Sequence, residues 1–283
     1  MIDETHDAYV PSDMAKRAEA SAMRKANRDI VTAFFLAVQA GAFIAFGAAF
    51  FTHTIHDMAL GAGLSKLIGG VTFSLGLILV IIAGADLFTG DTLMVMACFT
   101  GKVNVAKMLK SWLFVFFGNL AGALAILTLV HLSGHWLSNH GAVGARALAI
   151  ANAKVNLTFT QAFASGMLCN ILVCLAIWLC YSCRSVTDKI LAIIFPITAF
   201  VAMGFEHSIA NMYFIPAGLL LKSDPHIVGL LDGVDLSNLT TSGFLMNNLL
   251  PVTIGNMVGG AIFVGTIYWI LYLRKPIDHG ATP

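Results

Sequence analysis

An acid and an imidazole, Glu206 and His207, interrupt a membrane-type apolar run in this chain. The flanking stretches 190–205 and 208–221 contain no Asp, Glu, Lys or Arg. Neither stretch alone reaches the roughly 20 residues that a bilayer span needs, so the pattern predicts a helix that is broken at this point. Ionisable groups inside a membrane are costly and usually face a protein interior or an aqueous cavity. Glu206 and His207 are therefore the leading candidates for a transport pathway.

The composition is that of an integral membrane protein. Of the 283 residues, 58% are hydrophobic and 11% are charged, whereas an ordinary soluble domain has about 25% charged residues. The basic residues are scattered among the apolar runs and form no stripe, which argues against a nucleic-acid partner. The five cysteines lie within or beside the apolar runs without paired spacing in a loop, so we expect packing residues or reduced thiols.

Six apolar segments predict six transmembrane helices, of which the second and the fifth are broken. A second break is expected at 86–91, where two acids, a glycine and a hydroxyl interrupt the second segment before 92–99 resumes it. We expect residues 131–156 and 222–241 to form loops on the exported side. The six predicted spans are 30–51, 67–85, 111–130, 157–181, 190–221 and 242–273.

The two ends of the chain are predicted to lie in the cytoplasm. Residues 1–29 are polar, with an amphipathic helix over 13–27 that Ser12 would cap. The alternatives left open for this helix are an interfacial helix, a lid over a pore and a docking site for a cytosolic enzyme. Residues 274–283 form a tail on the same side. Twelve of the 16 Lys and Arg fall in the segments assigned to this side, as the positive-inside rule requires.

The two breaks are patterned alike, which predicts an internal repeat. Residues 83–87 and 203–207 both read x-Gly-x-acid before a break, and Asn119 in the third span matches Asn256 in the sixth. Three spans separate the matched points, so the halves enter the membrane from opposite faces. Both breaks are then expected to line one pathway near the midplane. The predicted halves are about 30–132 and 157–273.

The side chains near the breaks predict a narrow apolar pathway that contains a few polar groups. Four apolar residues are expected either to pack between spans or to form constrictions that exclude hydrated ions. Thr89 and His207 would supply hydrogen bonds between these constrictions. Asn170 is expected to make an interhelical hydrogen bond. The four apolar residues are Phe73, Leu77, Leu87 and Phe200.

These groups suit a small anion. A small carboxylate that titrates near about 4, like Asp or Glu, is ionised at pH 7 and crosses an apolar constriction only at high cost. A proton shared by His207 would lower that cost while Thr89 holds the other oxygen. The resting protonation of His207 is left open, since burial disfavours its charged form and Glu206 favours it. A helix-cap role is the alternative for His207, and Lys154 is either an anion attractor or an ordinary interfacial lysine.

Several motifs resemble those of the formate/nitrite transporter family, over nearly the whole chain. The motifs are residues 69–77, 84–89, 118–120, 204–212 and 251–256. The resemblance implies an all-α, aquaporin-like six-helix protomer with one pore, assembled as a homopentamer in the bacterial inner membrane. It also implies a formate channel, with nitrite or hydrosulfide as alternative substrates, and no cofactor.

The resemblance further implies a role for each candidate site residue. The cytoplasmic constriction would contain Phe73 and Leu87, and the central slit Leu77 and Phe200. The polar candidates are Thr89 in a gating loop, Lys154 on the periplasmic side, His207 at the centre, and Glu206, Asn170 and Asn211 as supporting partners. The chain departs from the family pattern at 90–91, where Gly and Asp stand in place of small hydroxyl residues.

Other classes of protein fit the sequence less well. A water or glycerol channel would need paired Asn-Pro-Ala caps, and the chain contains none. A haem-binding quinol enzyme needs paired histidines on facing helices, whereas His207 stands almost alone at depth, with His131 near the end of a span. We predict that His53 and His56 are interfacial residues and not metal ligands, since only Asp57 lies nearby.

Overall fold

The computed structural model of the protein describes residues 7–274, and helices form most of this part of the chain. Five of the helices, α2, α3, α5, α7 and α11 in the order given next, are long and apolar enough to cross a membrane. In chain order the helices are α1 (Pro11–Ala26), α2 (Ile30–Ile55), α3 (Gly61–Gly84), α4 (Phe88–Phe99), α5 (Val105–Leu132), α6 (Ala142–Val155), α7 (Phe159–Ser182), α8 (Val186–Ala202), α9 (Ser208–Leu221), α10 (Pro225–Gly229) and α11 (Gly243–Tyr272).

The two predicted breaks are confirmed, and each one begins at a glycine. Helix α3 ends at Gly84 and α4 starts at Phe88, while α8 ends at Ala202 and α9 starts at Ser208. Gly84 has a φ angle of 85° and Gly204 one of 75°. L side chains rarely adopt this left-handed conformation, so a glycine is the residue that turns the chain out of each helix.

The long helices pack as two similar pairs around a central contact. Helix α2 packs along α5, α7 packs along α11, and α3 contacts α8 between these pairs. The pairs approach closely because small residues face the partner helix. A Cβ on Gly122 would lie 1.9 Å from the Val38 carbonyl oxygen, and one on Gly259 would lie 2.2 Å from the Met167 carbonyl oxygen.

Helix α1 lies against the ends of α4, α7 and α11. Met14, Ala18 and Ala22 share one face of the helix, and this face is buried. The prediction that Ser12 caps the helix is wrong. The helix begins at Pro11, and the residue before it, Val10, makes no side-chain cap. Proline suits the first position because it has no N–H that would need an acceptor.

The prediction of a loop over 131–156 is also wrong, because most of this segment is helix α6. Its sequence is rich in alanine, the residue with the highest helix propensity. Its buried face includes Val143 and Leu148 and packs against α9. The predicted loop at 222–241 contains only the short helix α10. Residues 275–283, most of the predicted tail, lie outside the described residues.

Candidate functional site

One asparagine side chain holds the chain together at the first break. The amide oxygen of Asn119 accepts a hydrogen bond from the Phe88 backbone N–H at 2.9 Å. Its amide nitrogen donates to the Asp86 carbonyl at 2.9 Å and to the Ala37 carbonyl on α2 at 2.7 Å. Backbone groups freed by the break therefore find a partner inside the protein, as membrane burial demands.

Asn256 does the same at the second break. Its amide oxygen accepts from the Ser208 N–H at 2.9 Å, and its nitrogen donates to the Glu206 carbonyl at 3.0 Å. A further hydrogen bond of 2.7 Å reaches the Gly166 carbonyl on α7. Each asparagine side chain thus hydrogen-bonds to the backbone of the acidic residue, to the backbone of the residue two positions later, and to one long helix.

Thr89 and His207 meet where the two broken helices resume. The Thr89 hydroxyl oxygen lies 3.0 Å from His207 Nε2, and both residues are buried. His207 is also the N-cap of α9, since its Nδ1 accepts a hydrogen bond from the Ala210 N–H at 3.1 Å. The cap role that the sequence offered as an alternative is therefore present.

The cap fixes which nitrogen of His207 carries the proton. Because Nδ1 accepts a backbone hydrogen bond, the proton of a neutral ring is on Nε2. That Nε2–H donates to the Thr89 oxygen, and the hydroxyl proton of Thr89 remains available for another acceptor. Two hydrogen-bond donors thus lie side by side at the junction of the breaks.

Apolar side chains surround this pair of donors. The ring of Phe200 lies nearly parallel to that of His207, with centroids 6.0 Å apart. The ring of Phe73 meets Phe200 edge-on at 5.7 Å. The exposed fraction is 3% or less for each of Phe73, Leu77, Leu87 and Phe200. The donors therefore lie among buried apolar side chains.

Cavities approach the pair from two sides. The cavity of about 520 Å³ next to α1, here the α1 vestibule, ends at Leu87. The cavity of about 300 Å³ next to α6, here the α6 vestibule, ends at Phe73, Phe200 and His207. The other polar lining residues are Arg17, Ser21, Arg24, Lys25, Arg28, Asp86, Tyr181 and Lys189 in the α1 vestibule and Lys66, Lys154, Glu206 and Asn211 in the α6 vestibule.

This arrangement corrects the assignment of Phe73 and Leu87 to one constriction. Phe73 lines the α6 vestibule and Leu87 lines the α1 vestibule. The reason is their position along the chain. Phe73 lies within α3, whereas Leu87 follows the break that ends α3, so the two residues occupy different levels of the pathway.

The carboxylate of Glu206 is fully engaged. It receives Lys154 Nζ at 2.7 Å on one oxygen, and on the other Asn211 Nδ2 at 2.7 Å and Asn248 Nδ2 at 3.0 Å. Glu206 is thus matched by Lys154 and does not hydrogen-bond to the ring of His207. Lys154 is neutralised by the same contact, which weakens its expected role as an anion attractor.

Asn248 is a site residue that the sequence analysis missed. Its amide nitrogen also donates to the Lys154 carbonyl at 2.9 Å, and it is fully buried. A polar amide within the apolar run of α11 was the available signal, because such a group needs an internal partner. Only the fold shows that the partner is Glu206.

Basic residues of α1 hold the loop of the first break. Lys25 Nζ lies 2.5 Å from the Asp91 carboxylate and 3.4 Å from that of Asp86, and Arg28 pairs with Asp86. Burial alone would lower the pKa of Lys25, but the charges of Asp91 and Asp86 outweigh it and raise the pKa. The unusual Asp91 therefore anchors the end of α1, a contact that the sequence did not reveal.

Asn170 connects the first break to the second half of the chain. Its amide nitrogen donates to the Thr89 carbonyl at 3.1 Å and to the Asn256 carbonyl at 2.7 Å. The predicted interhelical hydrogen bond is therefore confirmed. Asn170 supports the backbone at Thr89 and has no hydrogen bond to His207.

Three histidines cluster near the end of α2. The ring of His53 lies 5.4 Å from that of His56 and 5.2 Å from that of His135, measured between centroids. Burial and the neighbouring His53 and His56 lower the pKa of His135. Within residues 7–274, no group of three His, Cys, Asp or Glu side chains is arranged to hold a metal ion.

Comparisons with known proteins identify the family of the chain. Residues 12–270 match the family model described as formate/nitrite transporter. The formate channel FocA of Escherichia coli is 42% identical over 98% of this chain and 99% of its own, and that of Haemophilus influenzae is 41% identical over 95% of each. A solved structure described as a pentameric formate channel with formate bound has a TM-score of 0.78 and 39% identity, covering 87% of this chain and 98% of its own.

Proposed function

The chain belongs to the formate/nitrite transporter family, and from this premise we propose that it is a formate channel. The family is one of transporters and not of enzymes. The observation that carries the proposal is the contact of Thr89 with His207, a pair of hydrogen-bond donors between two vestibules. The similar proteins named as formate channels support formate as the substrate.

The pair of donors fits the two oxygens of a carboxylate. We propose that formate leaves water at Leu87 or at Phe73 and exchanges its hydration for hydrogen bonds from the Thr89 hydroxyl and from His207 Nε2–H, which leaves the Thr89 oxygen to bind the anion. Charge-assisted hydrogen bonds of this kind are about twice as strong as neutral ones, which offsets part of the desolvation cost. The surrounding apolar side chains keep hydrated ions out.

Proton sharing by His207 requires a change at the cap. A charged ring would carry a second proton on Nδ1, the atom that now accepts from the Ala210 N–H. Formate is therefore proposed to meet a neutral His207 at rest. Transfer of a proton to formate would follow only after Nδ1 has given up its cap and the ring has been charged.

Nitrite and hydrosulfide stay as alternative substrates, because both are small monovalent anions. The Thr89 and His207 donors make no contact that is specific to a carboxylate. Competition experiments are needed to rank the three anions.

The architecture is proposed to be an aquaporin-like inverted repeat of three plus three spans, with broken second and fifth spans. The matched asparagine bridges, the left-handed glycines and the two helix pairs support it. A homopentamer is supported by the similar structure that is described as pentameric.

The chain is proposed to lie in a bacterial inner membrane with both termini in the cytoplasm. The excess of Lys and Arg on the α1 side supports this orientation. The bacterial relatives support the compartment. Docking of a cytosolic enzyme at α1 stays a prediction, and the burial of Met14, Ala18 and Ala22 leaves only the opposite face of the helix for it.

Formate uptake into proteoliposomes between roughly pH 5 and 8, the range in which histidine titrates, tests the proposal. His207→Asn is the informative variant, because asparagine still caps a helix but cannot place a donor at the position of Nε2. We expect formate flux to fall about tenfold or more, which corresponds to about 1.4 kcal/mol in the barrier. Nitrite is expected to compete and chloride to pass poorly.

His207→Phe provides the second comparison, because it removes both the cap and the donor. Its folding is checked by size-exclusion chromatography before flux is measured. Normal formate flux through His207→Asn would mean that His207 is only a helix cap and that the Thr89–His207 pair does not bind the anion, whereas failure of the unmodified protein to pass formate would mean that the substrate must be reassigned.

A further inference from the structure

The α6 vestibule contains two lysines and one acid, and their charges do not balance. Lys154 is 2.7 Å from Glu206, with side-chain exposures of 14% and 5%, so this pair contributes little net charge. Lys66 lines the same vestibule, is exposed, and forms no ion pair with an acid of residues 7–274. The net positive charge of this vestibule therefore comes from Lys66.

The position of Lys66 is unusual for a lysine of this chain. Only four of the 16 Lys and Arg lie on the α6 side, which is the side that membrane proteins generally keep poor in basic residues. Lys222 is occupied by a hydrogen bond of 2.6 Å to the Leu239 carbonyl, and Arg146 does not line the vestibule. Within the described part of the chain, Lys66 is thus the unpaired cation at this mouth.

We infer that Lys66 captures the permeating anion on the α6 side and delivers it to the constriction formed by Phe73 and Phe200. The inference rests on the proposed function, and it transfers the steering role from Lys154 to Lys66. Lys154 remains a positioning residue that holds Glu206. A cation at the mouth of a cavity with apolar walls raises the local concentration of anions and the rate at which they enter.

Steering has a signature that a structural role lacks. The Debye length is about 30 Å at 0.01 M salt and about 3 Å at 1 M, so the effect of Lys66 should be large at low salt and small at high salt. It should appear in the rate at low formate concentration, where encounter limits flux. It should also appear only for entry from the α6 side, because the α1 vestibule has its own basic residues.

The test is formate flux in proteoliposomes of known orientation, with substrate added on one side at a time. Lys66→Gln removes the charge, Lys66→Arg keeps it, and Lys222→Gln is the matched control on the same side of the membrane. We expect Lys66→Gln to slow entry from the α6 side about threefold to tenfold near 10 mM salt, at the low end of measured steering effects. Lys66→Arg and Lys222→Gln should match the unmodified protein.

Two results would overturn the inference. One is a Lys66→Gln variant with unchanged entry at low salt. The other is an equal loss at 10 mM and 500 mM salt or from both sides, which would indicate a structural role. Failure of the unmodified protein to pass formate at any salt concentration would instead contradict the proposed function, so the two failures are distinguishable.

Discussion

The two breaks share one backbone arrangement but differ in how their acids are held. At the second break, Glu206 is bound by Lys154 and by two fully buried amides, Asn211 and Asn248. At the first break, Asp86 is bound by Lys25 and Arg28, whose side chains are 22% and 25% exposed. The second break is therefore built into the protein interior, whereas the first depends on a helix that lies against the outside of the bundle.

This difference assigns different tasks to the two vestibules. The carboxylates of Asp86 and Glu206 are equally buried, but Lys25 and Arg28 are 22% and 25% exposed against 14% for Lys154, so solvent screens the pairs at Asp86 more. The Glu206 pair is less accessible and is completed by neutral hydrogen bonds. We infer that the pathway is more adaptable on the α1 side and more rigid on the α6 side.

The asparagine bridges are the feature common to both breaks, and their removal should give the largest effect. Asn119→Ala and Asn256→Ala each leave two buried backbone groups without a partner, because the Ala37 and Gly166 carbonyls keep their helical hydrogen bonds. At about 1–3 kcal/mol for each unsatisfied group, we expect a loss of at least about 2 kcal/mol in the free energy of unfolding. Thermal or denaturant unfolding in detergent measures it.

Asn247→Ala, at an exposed position beside Asn248, is the control and should change stability little. Similar losses in the two bridge variants would support the repeat. A strongly unequal effect would show that the halves only look alike.

The second prediction concerns the acids. Glu206→Gln breaks a buried ion pair, and we expect it to cost about 3 kcal/mol, because the Lys154 charge is left behind. Asp86→Asn should cost about 1 kcal/mol, since its partners are partly exposed and Lys25 keeps Asp91. Unfolding measurements provide both values.

The rate of protease cleavage just after α1 tests the same comparison. Asp86→Asn should expose the end of α1 and speed cleavage several-fold, whereas Glu206→Gln should leave the cleavage rate unchanged. Lys16→Gln, which removes only an exposed pair with Asp13, is the control. Equal cleavage rates in the Asp86 and Glu206 variants would contradict the distinction between the two sides.

The smallest expected effect is a pH dependence of the free energy of unfolding that arises only on the α6 side. The pKa of His135 is lowered from its ordinary 6.5 by burial and by His53 and His56. The folded protein thus favours the neutral ring. The contribution of the neutral His135 ring to the free energy of unfolding is fully present above pH 6.5 and is lost as the pH falls through the lowered pKa.

Because His135 is partly exposed, this contribution should stay below about 1 kcal/mol after screening. The unfolding temperature measured between pH 7 and 5 should therefore fall slightly more for the unmodified protein than for His135→Gln. Parallel curves for the two proteins would mean that the histidine cluster contributes no pH dependence to the stability of the α6 side.

The elements set by local pattern could be predicted from the sequence. Apolar runs interrupted at Asp86 and Glu206 predicted the breaks, because span length and charge are properties of short segments. Helix α6 was missed because hydropathy does not distinguish an alanine-rich helix between spans from a polar loop. The matching of Asn119 with Asn256 came from similar local sequence around each.

The partners of the acids could not be predicted in this way. Lys25 meets Asp91, and Asn248 meets Glu206, across large separations in the chain. Such pairs depend on how the helices pack, which no local pattern describes.

The cap formed by His207 has a consequence for the membrane around the channel. A second proton on this ring would have to displace the Ala210 N–H from Nδ1, and an N-cap is worth about 1 kcal/mol to a helix. The backbone of α9 therefore opposes protonation of His207, where the two breaks meet. A central ring that resists a second proton is a poor relay for proton current, so the fold itself insulates the membrane potential while formate crosses.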